Sequence, residues 1–183
     1  HFGEQIISFL KAHDNFGATI EISDEKNELL ETGGGLLYAR RLLDLGEDFL
    51  IMNADILTDL DLNPLLKFHR EEKVFVTLAV SNRKSSRKLL FDEKMVLKGW
   101  RNVETGEQRL AAFDDGFNAL AFSGIHCVNP AIFNKIKRTG KFSIMEEYLD
   151  LMMTEKIRGY EHSSLLIDVG RPESVVEAEK YFT

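Results

Sequence analysis

The chain has 183 residues, 44% of them hydrophobic and 29% charged, which is the composition of an ordinary folded domain. Its net charge of −7 and pI of about 5.3 argue against a nucleic-acid polymer as the main partner. No apolar run approaches the roughly 20 residues of a membrane helix, no signal peptide is visible, and the single Cys127 excludes an internal disulfide. We therefore expect one cytoplasmic domain that makes no contact with a membrane.

Hydrophobic periodicity predicts that helices and strands alternate along the first half of the chain. In chain order these are a helix at 3–12, a short strand at 18–22, a helix after the triple glycine from Leu36 to near Gly46, an apolar strand at 49–52, a helix opened by Asn63-Pro64, and a buried strand at 74–80.

The second half begins with a change of pattern. Residues 88–110 contain short strands separated by polar turns, which predicts a β-hairpin excursion outside the main sheet. An apolar strand at 118–128, a helix capped by Ser143, two short strands ending at Ile167, and a last helix from Arg171 follow. This alternation predicts an α/β fold with a mostly parallel mixed sheet and helices on both faces.

Two carboxylates stand where apolar strands end. Asp55 closes the segment 49–55, and Asp168 closes the segment 165–168. Ligands of open α/β sheets bind outside the carboxyl ends of the strands, where two acids from distant parts of the chain can converge on one divalent cation. The alternatives are a surface loop carboxylate for Asp55 and an N-cap of the last helix for Asp168.

The triple glycine at 33–35 also precedes a helix. It lets backbone approach a ligand closely and presents N–H groups that attract anions, but a tight turn without a ligand is equally consistent with it. Glu31 and Thr32 either cap this helix or touch a base or ribose.

Three weaker signals lie elsewhere. Gly124 interrupts an apolar strand after Ser123, which indicates either a close ligand or a bulge. Glu146 is first a helix-cap residue and second a contact for a sugar hydroxyl. The basic cluster at 83–88 favours a solvated loop over a phosphate contact, and the five histidines show no metal-ligand spacing.

Taken in order, four segments resemble the sugar-1-phosphate nucleotidylyltransferases over essentially the whole chain. They are Leu30-Glu31-Thr32-Gly33-Gly34-Gly35, Asn53-Ala54-Asp55, Phe122-Ser123-Gly124-Ile125 and Ile167-Asp168-Val169-Gly170. The likeness is to the N-acetylmuramate-1-phosphate uridylyltransferase and mannose-1-phosphate guanylyltransferase types. It implies a Rossmann-like fold and transfer of a nucleotidyl group from UTP or GTP to a sugar-1-phosphate, with release of pyrophosphate.

The resemblance also implies roles for individual residues. It makes Asp55 and Asp168 the catalytic residues that hold Mg²⁺. It places the nucleotide along Glu31, Thr32 and Gly33 and the sugar near Ser123 and Gly124. To these we add Gly34 and Asn53 as nucleotide-binding residues and Glu146 as a sugar-binding residue.

The chain departs from the family at its start. The family begins with a strand and a Gly-x-Gly-Thr-Arg loop, followed by Pro-Lys, that grips the triphosphate. We expect residues 1–183 to be a nucleotidyltransferase domain lacking this βα(β) segment, inactive alone and prone to self-associate through an exposed sheet edge. The alternatives are a non-catalytic nucleotide-sugar-binding module and a glycosyltransferase, although Asn53-Ala54-Asp55 lacks the second acid of an Asp-x-Asp pair.

Overall fold

The computed structural model describes residues 3–25, 28–111 and 116–181. The helices are α1 (Gly3–Ala12), α2 (Glu31–Tyr38), α3 (Arg40–Leu43), α4 (Leu62–Glu71), α5 (Ile132–Lys135), α6 (Ile144–Leu151) and α7 (Pro172–Ala178). The strands are β1 (Phe49–Met52), β2 (Ile56–Thr58), β3 (Val76–Ser81), β4 (Arg87–Phe91), β5 (Leu97–Asn102), β6 (Gln108–Leu110), β7 (Asn118–Val128), β8 (Ile157–Glu161) and β9 (Leu166–Asp168).

Strand β7 organises the main sheet. Its C-terminal half pairs antiparallel with β1 and with β3, so that Val128 is opposite both Phe49 and Val76. Strand β8 pairs parallel with β3. The predicted mixed α/β sheet is confirmed. The strands β1, β3 and β8 run in one direction, but β7 runs against them, and most neighbouring pairs are therefore antiparallel.

The segment predicted as a hairpin excursion is a three-stranded antiparallel meander, β4-β5-β6. It does not lie outside the main sheet, because β4 pairs with the first part of β7, with Leu89 opposite Leu120. The 11-residue β7 is long enough to pair with β4 first and with β1 afterwards. The meander is thus a continuation of the main sheet.

Helices cover both faces of the sheet, as the sequence predicts. Alternate residues of a strand point to opposite faces, and Val76 and Leu78 accordingly join a core cluster with Tyr148 of α6. Ala79 belongs to a second cluster with Leu65 of α4. Each face therefore has its own hydrophobic layer.

Two other segments differ from the prediction. No strand forms at 18–22, which pairs with no strand of the described residues, and Ile22 is 41% exposed. The triple glycine lies inside α2 rather than before a helix, and the helix predicted after it is divided into α2 and α3. None of the helices in the described part of the chain is both long and apolar enough to cross a membrane.

Candidate active site

A cavity of about 300 Å³ opens at the carboxyl end of β1. The residues that line it come from six parts of the chain. They are Thr32, Ile51, Asn53, Arg87, Leu89, Trp100, Phe122, His126, Ser143, Ile144 and Met145. A mostly apolar wall with a few convergent polar groups is typical of a small-molecule site.

The triple glycine, which follows the cavity residue Thr32 within α2, packs against the chain itself. The N–H groups of Gly33 and Gly34 both point to the carbonyl oxygen of Phe142, at 2.9 and 3.4 Å. A Cβ at Gly34 would collide with the carbonyl oxygen of Gly140, and one at Gly33 would collide with the Phe142 ring. The close approach for which these glycines are needed is therefore to residues 140–142, and these N–H groups are already engaged.

Thr32 is the residue of this turn that reaches the cavity. Its Oγ1 accepts a hydrogen bond from the N–H of Ile144 at 3.0 Å, which holds the start of α2 against the start of α6. Glu31 is exposed and lies 3.8 Å from the Lys141 ammonium. Of the residues predicted in this turn, only Thr32 lines the cavity.

Asn53 lies where β1 meets the bulge of β7. Its N–H donates to the carbonyl of Gly124 at 2.9 Å. Gly124 has a φ of +74°, and a Cβ there would lie 3.2 Å from the Asn53 side-chain nitrogen. Glycine is required at this bulge by backbone conformation and by the neighbouring Asn53.

The two predicted acids are brought together, although not by the main sheet. Strands β2 and β9 form a separate antiparallel ribbon in which Ile56 is opposite Asp168, and the Val169 N–H donates to the Asp55 carbonyl at 2.8 Å. A Cβ at Gly170 would lie 3.0 Å from Asp168 Oδ1 and 3.3 Å from Asp55 Oδ2. Both exposed carboxylates therefore flank one notch, which is open because Gly170 has no side chain.

Asp168 does not cap the last helix. Its Oδ1 accepts from the Gly170 N–H at 3.0 Å, and the N-cap residue of α7 is Arg171, whose side chain makes no capping bond. The capping alternative for Asp168 is therefore excluded.

The predicted sugar residues do not line the cavity. Ser123 is fully buried, with its hydroxyl 2.9 Å from His162 Nε2. Burial lowers the pKa of His162 although Asp59 acts to raise it. Glu146 is 59% exposed and lies 3.6 Å from Arg138. Ser143 does cap α6, by accepting from the Met145 N–H at 3.4 Å.

Arg87 and Trp100 are cavity residues that the sequence analysis did not select. Arg87 belongs to the basic cluster that favoured a solvated loop, and Trp100 belongs to the meander expected outside the sheet. Because β4 pairs with β7, the meander brings both side chains to the cavity. The sequence signal for this pairing was the length of the apolar segment 118–128, which is enough for a strand to pair with β4 as well as with β1.

His126 is a third unexpected cavity residue and is only 2% exposed. Its Nδ1 lies 3.2 Å from the Tyr148 hydroxyl, and the two rings meet edge to face with centroids 5.5 Å apart. Burial lowers the pKa of His126 to about 3 and raises the pKa of Tyr148. Both groups are therefore neutral at physiological pH, and the cavity floor carries no charge there.

Similar proteins match nearly the whole chain. The N-acetylmuramate alpha-1-phosphate uridylyltransferase of Neisseria meningitidis is 26% identical over 183 residues, covering 97% of this chain and 73% of that protein. A probable mannose-1-phosphate guanylyltransferase of Oryza sativa is 27% identical over 177 residues, or 94% of this chain. The chain is thus similar in sequence to sugar-1-phosphate nucleotidylyltransferases. No protein-family model matches it.

The solved structures agree on the fold of these nucleotidylyltransferases. HddC from Yersinia pseudotuberculosis superimposes with a TM-score of 0.76 over 98% of this chain and 74% of its own, at 19% identity. That protein has also been solved in complex with GMP-PN. The chain spans about half the length of most curated relatives, for example 47% of the rice protein and 40% of the Methanocaldococcus jannaschii bifunctional protein GlmU.

Proposed function

We propose that the protein transfers a nucleotidyl group from a nucleoside triphosphate, UTP or GTP, to a sugar-1-phosphate. The observation that carries this proposal is the convergence of Asp55 and Asp168 around the Gly170 notch. Asp55 comes two residues after Asn53, which lines the cavity. The named uridylyltransferase and guanylyltransferase relatives favour this reaction over the glycosyltransferase alternative.

The two carboxylates fit a divalent cation of the Mg²⁺ type. No group of three or more His, Cys, Asp or Glu side chains within 3–25, 28–111 and 116–181 could hold a metal. Mg²⁺ typically takes one or two carboxylates and completes its shell with water and substrate phosphates. We assign Asp55 and Asp168 as its ligands. When bound there, the ion would neutralise charge on the phosphates during transfer.

The protein itself contributes binding and orientation in this proposal. An oxygen of the sugar phosphate attacks the α-phosphorus of the triphosphate, and pyrophosphate leaves. Such a reaction needs positioning and charge stabilisation rather than a protein nucleophile. The half-buried Trp100 ring offers an apolar surface, and Arg87 offers a cation without an ion pair among the described residues.

We keep the nucleotide role for Glu31, Thr32, Gly33, Gly34 and Asn53, and the sugar role for Ser123, Gly124 and Glu146. Thr32 and Asn53 have direct support because they line the cavity. Gly33, Gly34 and Gly124 contribute through the backbone positions they permit. Ser123 acts through its hydrogen bond to His162 rather than by contact from the cavity wall.

The test is pyrophosphate release by the intact protein with Mg²⁺, UTP or GTP, and a panel of sugar-1-phosphates. We expect turnover with one base and one sugar, and its loss in Asp55→Asn and Asp168→Asn. Asp44→Asn is the matched control, since Asp44 is an exposed carboxylate paired with Arg40 at 2.9 Å. Nucleotide binding without turnover for any pair would instead support the non-catalytic module.

We further propose that the protein is cytoplasmic, where these substrates are found, and that it self-associates through β1. Within the described residues β1 pairs only with β7, so its other edge carries unpaired backbone groups. Light scattering should detect a concentration-dependent dimer. Leu50→Pro, which interrupts that edge, should weaken it, and a monomer at all concentrations would refute the association.

A further inference from the structure

A second cavity, of about 380 Å³, lies at the amino end of β1, opposite the end where the first cavity opens. The residues around it precede strands β1, β3 and β8, follow β7, or end α4. They are Asp48, His69, Arg70, Lys73, Val74, Phe75, Asn129, Glu155 and Lys156. Nothing in the proposed transfer reaction uses this cavity.

His69 lines this cavity and has an unsatisfied ring nitrogen. The residue is 1% exposed, and its Nδ1 lies 2.9 Å from the Thr77 hydroxyl. Its Nε2 is buried and has no hydrogen-bond partner in the part of the chain that the structure describes. A buried polar atom without a partner costs free energy, so such an atom at a cavity wall indicates a ligand that completes it.

The nearest polar group to that nitrogen is Asp48. Its Oδ1 lies 3.7 Å from His69 Nε2, too far for a direct hydrogen bond, and accepts from the Asn129 amide at 3.1 Å. Burial lowers the pKa of His69, against the opposing effect of Asp48, so the ring is neutral. The facing carboxylate favours the tautomer with its proton on Nε2. A hydroxyl can accept from that N–H and donate to Asp48 at the same time.

Two of the cations around the cavity make no ion pair within the described residues. Glu155 is paired with Lys135 at 2.7 Å, and Lys156 donates to the Glu72 carbonyl at 2.6 Å. Arg70, in the last turn of α4, and Lys73, two residues beyond its end, make no side-chain hydrogen bond or ion pair within 3–25, 28–111 and 116–181. Both are exposed, and both can reorient towards an anion at the cavity mouth.

We propose that this second cavity binds a hydroxyl-bearing phosphate ester of the sugar-phosphate class. A hydroxyl lies between His69 and Asp48, and the phosphate lies against Arg70 and Lys73. Asp48 disfavours a bare anion beside it, so the hydroxyl belongs at the inner end and the phosphate at the mouth. This site is separate from the candidate active site and does not depend on the proposed transfer reaction.

Calorimetry with glucose 6-phosphate tests the proposal, because this ester lacks the anomeric phosphate of the proposed substrates. We expect binding to the purified protein that weakens at least about 10-fold in the Arg70→Gln/Lys73→Gln variant. Lys67→Gln is the control, since Lys67 is an exposed cation on the same helix but outside the cavity. It should leave the affinity unchanged, and equal thermal melts should show that all variants fold.

Two further measurements locate the ligand. Trp100 is the single tryptophan and lines the first cavity, so its fluorescence should not respond to glucose 6-phosphate. Glucose and inorganic phosphate should each bind more weakly than the ester. Absence of binding, unchanged affinity in the double variant, a Trp100 response that follows the same isotherm, or equally tight binding of inorganic phosphate would each overturn the proposal.

Discussion

The two cavities lie at opposite ends of the same strands, and each has a buried, neutral histidine in its wall. His126, in the first, has a hydrogen-bonding partner in Tyr148, whereas the Nε2 of His69, in the second, has none among the described residues. Asp55 comes two residues after the first cavity's Asn53, and Asp168, the last residue of β9, lies opposite Ile56. The second cavity is lined by Arg70 and Lys73, which make no ion pair within the described residues. A buried histidine that the fold satisfies is part of the scaffold, whereas one that the fold leaves unsatisfied points to a missing ligand.

The largest effect should come from removing a carboxylate beside the first cavity. In the intact protein, Asp168→Ala should lower turnover by about 10³-fold, about 4 kcal/mol of transition-state stabilisation. Stability should change little, because the side chain is exposed and its only hydrogen bond within the described residues is to Gly170. Pyrophosphate release and thermal melts measure both quantities. A near-normal turnover rate in this variant would show that the carboxylate near the first cavity does not take part in catalysis.

Helix α2, which carries the cavity residue Thr32, should be intolerant of one added methyl group at Gly34. Gly34→Ala places a Cβ against the backbone carbonyl of Gly140, which cannot move as a side chain can. We expect unfolding free energy to fall by about 3 kcal/mol, the upper end of overpacking costs. Gly3→Ala is the control, since its Cβ would meet only Asp24 Oδ1 at 3.9 Å. Equal denaturant midpoints for both variants would contradict this packing.

The satisfied histidine should give the protein a characteristic pH dependence. Burial lowers the pKa of His126 to about 3, so the unfolded chain takes up a proton first as pH falls below its ordinary value near 6.5. This residue should therefore reduce stability by about 2 kcal/mol between pH 7 and pH 5. His126→Gln should flatten that part of the curve, while the exposed His13→Gln should not. Identical slopes in all three proteins would be inconsistent with a buried neutral ring.

The aromatic wall should affect substrate binding more than chemistry. Trp100→Ala should raise the KM for the sugar phosphate about 10-fold, about 1.4 kcal/mol, with a smaller change in kcat. Trp100→Phe should recover most of the loss, because it keeps an aromatic face. Arg70→Gln/Lys73→Gln should leave this KM unchanged. If the double variant instead raised the KM, the two cavities would not be independent.

The sequence predicted the layers of the fold well and the sheet connections less well. Apolar strands such as 49–52 and the cap at Ser143 are local signals, and they are confirmed. Pairing is not local: nothing near residues 88–110 indicates that β4 joins β7, and the meander was therefore placed outside the main sheet. The strand expected at 18–22 does not form for a related reason, because the described residues offer it no partner strand.

The candidate site divides in a similar way. Asp55 and Asp168 were found because acids at strand ends form a readable pattern, and the structure brings them together through the β2–β9 ribbon. Their metal role remains a prediction. Gly33 and Gly34 drew attention as ligand contacts, but their close neighbour is residues 140–142 of the chain itself. A glycine indicates that something approaches closely without indicating what it is.

Strand β7 also has a consequence for how the chain folds. Its first part pairs with β4, a near neighbour in sequence, while Val128 at its other end pairs with the distant Phe49. Closing the longer loop costs more conformational entropy and slows formation of the contacts that depend on it. We expect the β4–β5–β6 meander and the start of β7 to form early and β1 to dock late. Pulse-labelled hydrogen exchange should find the amides of β5 protected before those of β1.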